Sequence, residues 1–599
     1  MTHGTARTLP LLGLALTSVL LAACGTTTST SAQQTGQEQP SFQQSAAALA
    51  AAAAYESGLE IFHPVTGTQG MVATEQNLAS MVGLAVLQAG GNAVDAAVAV
   101  GFALAVTLPN AGNIGGGGFM VLHDAKTGQN IALDFREMAP SQASRDMYLG
   151  QDGNVIDGKS LYTHYAVGVP GTVAGMAHAH AKWGSLPWAQ LIAPAIRLAD
   201  EGFIVSNSLA NGLQREKDNM GKWPATRAIF WRDGAPLKAG DRLVQKDLAR
   251  SLTLIAQQGP AAFYEGEIAR KIAQEMAAWP GAITRQDLQG YQSIERKPVE
   301  GTYRGYQIAT MPPPSSGGAH LVQMLNILER WPLAEWGQNS AQSLHYMAES
   351  MKLAYADRAE FLGDPDFVNI PLSGLLSQAY ADNLALSITD RARPASEIRA
   401  GQPQAYESDQ TTHYSTIDQH GNAVAVTYTL NTNFGTGIVV PGTGILLNNE
   451  MDDFSAKPGV ANTYGLIGGE ANAIAPGKRP LSSMTPTLVL KDGQPFLVTG
   501  SPGGSRIITT VLQTVVNVID FNMNPAEAAS VPRIHHQWLP DELRVEKGLS
   551  PDTMALLEQR GHKLAVKPAM GRTQTIMVRD GKLYGYSDPR NPDGLTLGF

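Results

Sequence analysis

Gln410-Thr411-Thr412-His413-Tyr414-Ser415-Thr416-Ile417 is the stretch on which the fold turns. Residues 391–410 are polar and weakly patterned, which suggests an exposed, mobile segment, and a run with strand character begins at Thr412. A second such run, Ala423 to Leu430, follows across Gln419-His420-Gly421-Asn422, so the two runs predict an antiparallel hairpin. Two threonines opening a strand carry no chemistry by themselves. Their context does: a break before Thr411 leaves it as a chain terminus on a rigid sheet. Its hydroxyl is a weak nucleophile, but an α-amine with a reference pKa of about 7.7–8.0 can accept the proton near neutral pH, so nucleophile and base share one residue. With a three-residue loop, Thr411 lies opposite Asn431 and diagonal to Thr429 on one face; a two-residue loop turns Thr429 to the other side, and the sequence leaves this register open.

Working outward, Met71 to Thr74 reads as a strand. A helix from Asn77, its cap, to Gln88 follows, and Gly90-Gly91 ends it. Ala93 to Thr107 is apolar nearly all round and predicts a buried helix, with Asp95 and its short length arguing against a membrane span. Phe119 to His123 and Asn130 to Phe135 predict a hairpin around Lys126-Thr127-Gly128, and Leu488 to Leu490 with Phe496 to Thr499 another around Asp492-Gly493. Amphipathic helices are expected over residues 188–200 and 341–362, and one over 506–519 opened by Gly503-Gly504-Ser505. Antiparallel hairpins mixed with helices predict stacked sheets covered by helices.

The 599-residue chain is 43% hydrophobic and 16% charged, an ordinary globular balance with room for a large core. A net charge of −9 with no long Lys/Arg run excludes a nucleic-acid partner. The only cysteine, Cys24, excludes an intrachain disulfide and a zinc–cysteine cluster. It ends an apolar segment, Leu11 to Ala23, too short to span a bilayer, and Leu21-Ala22-Ala23-Cys24-Gly25 resembles the bacterial lipobox. The expected organisation is a lipoprotein-type signal peptide over 1–23, a Ser/Thr/Gln/Ala-rich flexible tether over 24–57, and a catalytic body beyond, held at a membrane surface in the periplasm by acyl chains on Cys24.

Common catalytic motifs are absent: there is no HExxH, no Walker A pattern, no convincing dinucleotide loop and no convincing GxSxG elbow. His178 and His180 sit two apart on a helix and face apart, so they cannot share a metal. His535-His536 reads as a satisfied structural pair, and Gly115 to Gly118 as a place of close backbone approach.

The motifs Thr411 to Tyr414, Asn431 to Gly437, Asn448 to Phe454, Arg479 to Ser483 and Gly500 to Arg506, with Gly90 to Ala97 and Asp134 to Glu137, resemble those of the bacterial γ-glutamyltranspeptidases, which are N-terminal-nucleophile hydrolases. The resemblance runs from about Gly70 to Phe599 and implies an α+β fold, an αββα four-layer sandwich. It implies self-cleavage between Gln410 and Thr411, giving a large subunit (58–410) and a small catalytic subunit (411–599) that stay together. Thr411 matches the nucleophile and Thr429 the threonine that hydrogen-bonds it. Arg136, Ser482 and Ser483 match the groups that hold the α-carboxylate of a glutamyl substrate, and Asn431, Glu450 and Asp453 those that hold its α-ammonium, as two opposite sets. Gly503 and Gly504 match the oxyanion hole, and Tyr464 matches a tyrosine of a lid loop over Asn462 to Gly469. The implied activity is cleavage of γ-glutamyl amides such as glutathione through a γ-glutamyl-threonine ester, with transfer to water, amino acids or peptides, and no metal or organic cofactor. Two rivals remain: an acylase of the same fold acting on glutaryl amides, whose substrates lack the α-ammonium, and a non-catalytic ligand-binding lipoprotein, which stays a single uncut chain.

Overall fold

Ala93–Thr107 has no polar face to show to water, and all fifteen of its residues are buried. Asn92 caps it, accepting the Asp95 N–H at 2.9 Å while the Asp95 carboxylate accepts the Asn92 N–H at 2.9 Å. The same carboxylate accepts from Ser185 N–H and Oγ–H and from Leu186 N–H, so this buried acid is fully satisfied. Asn77–Gln88 crosses close beside it, because a Cβ on Gly83 would stand 2.6 Å from Val100. The cap of that helix is Gln76 rather than the expected Asn77: Gln76 Oε1 accepts the N–H groups of Leu78 and Ala79, a reach its longer side chain allows.

The computed structural model describes residues 61–280, 282–401, 412–457, 460, 462–463 and 469–599. The signal peptide, the tether, Cys24, Gln410, Thr411 and Tyr464 lie outside the described residues. Among the described residues no helix is long and apolar enough to cross a membrane.

Two seven-stranded sheets form the centre. One runs, edge to edge, Leu595–Gly598, Gly70–Thr74, Thr412–Asp418, Ala423–Thr429, Gly117–Asp124, Gln129–Phe135 and Ile294–Arg296. The other runs Val65–Gly67, Lys582–Ser587, Gln574–Arg579, Gln494–Thr499, Thr487–Lys491, Tyr306–Thr310 and Val299–Tyr303. Every pairing within them is antiparallel. Asp492 and Gly493 both take positive φ (53° and 75°), the two-residue turn expected between Thr487–Lys491 and Gln494–Thr499.

Side-chain alternation separates the layers. Val424, Val426 and Tyr428 join the core under Asn77–Gln88 and Ala93–Thr107, and Tyr428 donates its hydroxyl to Gly101 O at 2.9 Å. Ala423 and Ala425 point instead into the core shared with the second sheet and with Gly317–Leu328, Ala341–Phe361 and Arg506–Ile519. The order is helix, sheet, sheet, helix, as expected from the sequence. Both sheets draw strands from before and after position 411.

Residues 391–401 keep the expected exposure over most of their length but are pinned to the body. Ala395 and Ile398 are buried, Glu349 accepts the Arg393 N–H, and Asp357 accepts the Gly401 N–H at 2.7 Å. These clamps come from one helix, Ala341–Phe361, which local sequence pattern does not connect to this segment.

Candidate active site

The Thr412–Asp418 strand pairs with Ala423–Thr429 through Thr412 opposite Tyr428, His413 opposite Thr427 and so on to Ile417 opposite Ala423. Asp418 N donates to Asn422 O, leaving the three residues Gln419 to Gly421 as the turn. The turn starts one residue earlier than the three-residue alternative assumed, so Thr429 rather than Asn431 takes the rung beyond Thr412 and Tyr428. The face is unchanged, because this shift moves the pairing by two residues.

That face is small and polar. His413 packs so closely on Gly500 that a Cβ there would stand 2.4 Å from its ring. Its Nδ1 bonds Thr427 Oγ at 2.8 Å and its Nε2 Ser415 Oγ at 3.1 Å. Burial pushes its pKa down to about 3, so the ring is neutral near pH 7 and unsuited to pick up a proton. Glu75, which sequence reading did not single out, anchors the start of the strand: Oε1 accepts from Thr412 Oγ–H at 3.0 Å and His413 N–H at 3.4 Å, and Oε2 pairs with Arg572 at 3.1 Å. Burial raises its pKa, with Arg572 opposing.

Thr429 Oγ accepts the Asn431 N–H at 2.8 Å, and its carbonyl accepts Asn113 Nδ2–H at 2.6 Å. The glycine run explains the fit: Cβ atoms on Gly115 and Gly116 would stand 2.1 Å from Leu446 O and 2.0 Å from Thr429 O. Asn431 sits at φ 72°, which turns the chain out of the strand. Its Nδ2 donates to Asn449 O at 3.0 Å, bringing it beside Glu450. Among the described residues, Asn431 Oδ1 and Glu450 Oε2 are buried acceptors without a hydrogen-bond donor.

Glu450–Asp453 is a buried 3₁₀ turn. Arg136, one residue past the Gln129–Phe135 strand, pairs directly with Glu450 through Nη1 and with Asp453 through Nη2. Its Nε also donates to Pro480 O at 3.1 Å and its Nη2 to Leu481 O at 3.3 Å. The two groups expected at opposite ends of a ligand therefore meet here, because buried opposite charges pair rather than stand uncompensated. Burial works against the guanidinium charge, but Glu450, Asp453 and Glu137 outweigh it and hold the Arg136 pKa above its ordinary value. Burial pushes Glu450 well up and Glu137, 3.6 Å from Arg136, up to about 7, with Arg136 opposing both shifts.

Ser482 and Ser483 continue the Pro480-Leu481 segment that Arg136 touches, and both are buried. Ser482 Oγ accepts the Met484 N–H at 3.1 Å. Ser483 Oγ accepts from Arg358, which also donates to Ser316 Oγ at 3.0 Å. Arg358 is a residue sequence reading missed; it lies inside an ordinary-looking helix and reaches the site only through the fold. Arg479, inside a recognised motif but given no role, donates to Asp134 Oδ1 at 3.1 Å and to Arg136 O at 2.8 Å, fixing the backbone that carries Arg136. Arg358→Lys keeps the charge but loses the planar fork. It is expected to raise KM for a substrate carrying the implied α-carboxylate about 10-fold, the equivalent of 1.4 kcal/mol, with kcat within about twofold, as steady-state kinetics will show.

Gly503 (φ 135°) and Gly504 (φ 70°) form the loop before Arg506–Ile519. Among the described residues, neither N–H is given to a protein acceptor. The loop begins at Gly500, which touches His413, and so reaches the strand face that carries Thr429. Paired N–H donors, a cationic fork and buried carboxylates around the start of one strand suit attack on a carbonyl whose substrate carries charges of both signs.

The Gamma-glutamyltranspeptidase family model matches residues 79–597. The chain is 59% identical over 543 residues to a protein named Glutathione hydrolase proenzyme from Escherichia coli (strain K12), covering 90% of this chain and 93% of that one. Its fold matches the crystal structure of cephalosporin acylase from Bacillus halodurans with a TM-score of 0.81 at 29% identity, covering 91% of this chain and 98% of that one. It also matches the crystal structure of Helicobacter pylori gamma-glutamyltranspeptidase with a TM-score of 0.54 at 46% identity, covering 55% of this chain and 95% of that one. On the match over 79–597 and the 59% identity, the chain belongs to the γ-glutamyltranspeptidase family and has the four-layer N-terminal-nucleophile hydrolase fold.

Proposed function

We propose that the chain is a self-processing γ-glutamyltransferase and hydrolase that acts on γ-glutamyl amides such as glutathione. The observation that carries this reading is the buried cluster of Arg136 with Glu450 and Asp453. A cluster holding one cation and two anions accepts a zwitterion without leaving a charge unpaired: the α-carboxylate takes Arg136, and the α-ammonium takes the two acids together with Asn431 Oδ1. Maturation begins when Thr411 Oγ attacks the Gln410 carbonyl carbon and the Gln410–Thr411 C–N bond breaks, which frees the Thr411 amine as an ester forms; water then splits that ester into the Gln410 carboxylate and the Thr411 hydroxyl. In turnover, Thr411 Oγ–H gives its proton to that amine as the oxygen bonds the γ-carbonyl carbon. The N–H groups of Gly503 and Gly504 hold the oxyanion, the amine returns the proton to the leaving nitrogen, and water or an amino acid releases the γ-glutamyl group. Thr411 precedes Thr412 by one peptide bond, about 3.8 Å between Cα atoms, so the Glu75 anchor on Thr412 also limits where the nucleophile can go. Tyr464 would close the site as part of a lid.

The acylase reading rests on the fold match to cephalosporin acylase. A glutaryl group brings only a carboxylate and leaves Glu450 and Asp453 uncompensated, which favours the γ-glutamyl reading. Side-by-side hydrolysis of γ-glutamyl and glutaryl p-nitroanilides tests the choice: faster turnover of the glutaryl compound overturns the proposal. The proposed location is the periplasm, with lipidated Cys24 as anchor; Cys24→Ser should release the protein from membrane fractions.

The pH profile offers a further test. The base must be neutral, so kcat/KM should rise with pH through the amine's reference range of about 7.7–8.0. His413, held at about 3, contributes nothing to that limb. Glu137, raised to about 7, titrates nearby. A Glu137→Gln variant that keeps the limb assigns it to the amine.

A further inference from the structure

Helix Ala341–Phe361 carries His345 and Glu349 one turn apart, and His562, just past the helix Pro551–Gln559, meets them. All three are buried, and one donor atom from each lies within 4.8 Å of the others. His345 Nε2–H donates to the Thr389 carbonyl at 2.7 Å, which fixes its tautomer and leaves Nδ1 with a lone pair, now 2.8 Å from His562 Nε2. His345 Nδ1 therefore accepts from His562 Nε2–H, and one ring nitrogen anchored on a carbonyl with the other presenting its lone pair is the outer-shell arrangement of metal-binding histidines.

We propose that His345 Nδ1, His562 Nε2 and the Glu349 carboxylate form a structural site for a divalent transition-metal ion, with Zn²⁺ the best match to two imidazoles and one carboxylate. His562 ligates in its Nδ1–H tautomer, which needs no net proton release. Bonds of about 2.0–2.2 Å place tetrahedral ligands roughly 3.3 Å apart, so the imidazoles separate slightly and the carboxylate swings inward. Two cations oppose the ion: Arg560 lies near both rings, and Lys352 Nζ stands 2.6 Å from Glu349 Oε1 and must give way, with its other bond, to Arg393 O, as an alternative hold, while Glu349 Oε2 keeps the Arg393 N–H. His345 and Glu349 precede position 411 and His562 follows it. On the cut-chain reading above the ion therefore ties the two fragments together, although the site does not require the cut.

The test uses untagged, chelator-stripped full-length protein titrated with Zn²⁺ against a chromogenic chelator, with γ-glutamyl hydrolysis and fragment pattern recorded on the same samples. One equivalent should bind. His562→Gln and Glu349→Gln should each weaken binding by roughly 100-fold, at the upper end of what even an outer-shell partner is worth. Lys352→Met should strengthen it, and its folded state should gain thermal stability from Zn²⁺ more than the parent does. Co²⁺ should give visible bands in the parent that His562→Gln lacks. Absence of a bound equivalent, or equal affinity in parent and His562→Gln, overturns the site; uncut or inactive protein with intact Zn²⁺ binding overturns the functional reading instead.

Discussion

Thr411→Ala leaves the chain in one piece and lowers γ-glutamyl turnover by about 10⁴-fold or more, the scale of losing a nucleophile that acts as part of a unit. The two losses have one cause. Alanine has no oxygen to attack the Gln410 carbonyl, so no amine is released, and no oxygen to attack substrate afterwards. Denaturing electrophoresis reads the first as a single band where the parent gives two, and a γ-glutamyl p-nitroanilide assay reads the second. Thr411→Ser separates them: a hydroxyl without the methyl should still cut, more slowly. The flanking structure is not expected to change, because Glu75 anchors Thr412 and His413. A two-band pattern from Thr411→Ala would remove the basis of the proposed chemistry.

Asp453→Asn should lower kcat/KM for γ-glutamyl substrates by about 10²–10⁴-fold, the span of the roughly 3–5 kcal/mol that breaking a buried charge pair costs. The loss should fall mainly on KM, because the α-ammonium binds alike in the ground and transition states. Glutaryl p-nitroanilide has no ammonium to lose, and its kcat/KM should hold or rise, so the ratio of the two substrates shifts by at least about 10²-fold. Arg136 keeps Glu450 as a partner in the variant, which limits damage to the fold. Equal losses on both substrates would mean that Asp453 supports Arg136 alone. Thermal unfolding of parent and variant distinguishes that outcome from simple instability.

Much of this architecture was legible from local pattern. The apolar run at Ala93–Thr107 could only be a buried helix, and the hairpins at Asp492-Gly493 and across Gln419 to Gly421 announced themselves through turn residues. What pattern could not supply is distance in space. Arg136 meets Glu450 and Asp453 across 314 and 317 residues of sequence, so nothing local joins the three and only the family resemblance assigned them to one ligand. Arg358 on Ser483, and Glu75 on Thr412, are long-range bonds of the same kind with no local signature. The hairpin register stayed open in the sequence, since a Gly and an Asn beside each other allow more than one start to the turn. The segment 391–401 looked free because its own side chains are polar; the groups that hold it belong to Ala341–Phe361.

The interleaving of the two sheets has a consequence for the severed enzyme. The strands Thr412–Asp418 and Ala423–Thr429 lie in mid-sheet, flanked by Gly70–Thr74 and Gly117–Asp124 from the upstream piece. Neither piece owns a complete sheet, and separation would strip backbone hydrogen bonds from strands with nothing to replace them but water. Calorimetry should therefore record one melting endotherm for both polypeptides, and halves made from separate messages could become active only by folding around each other from the outset.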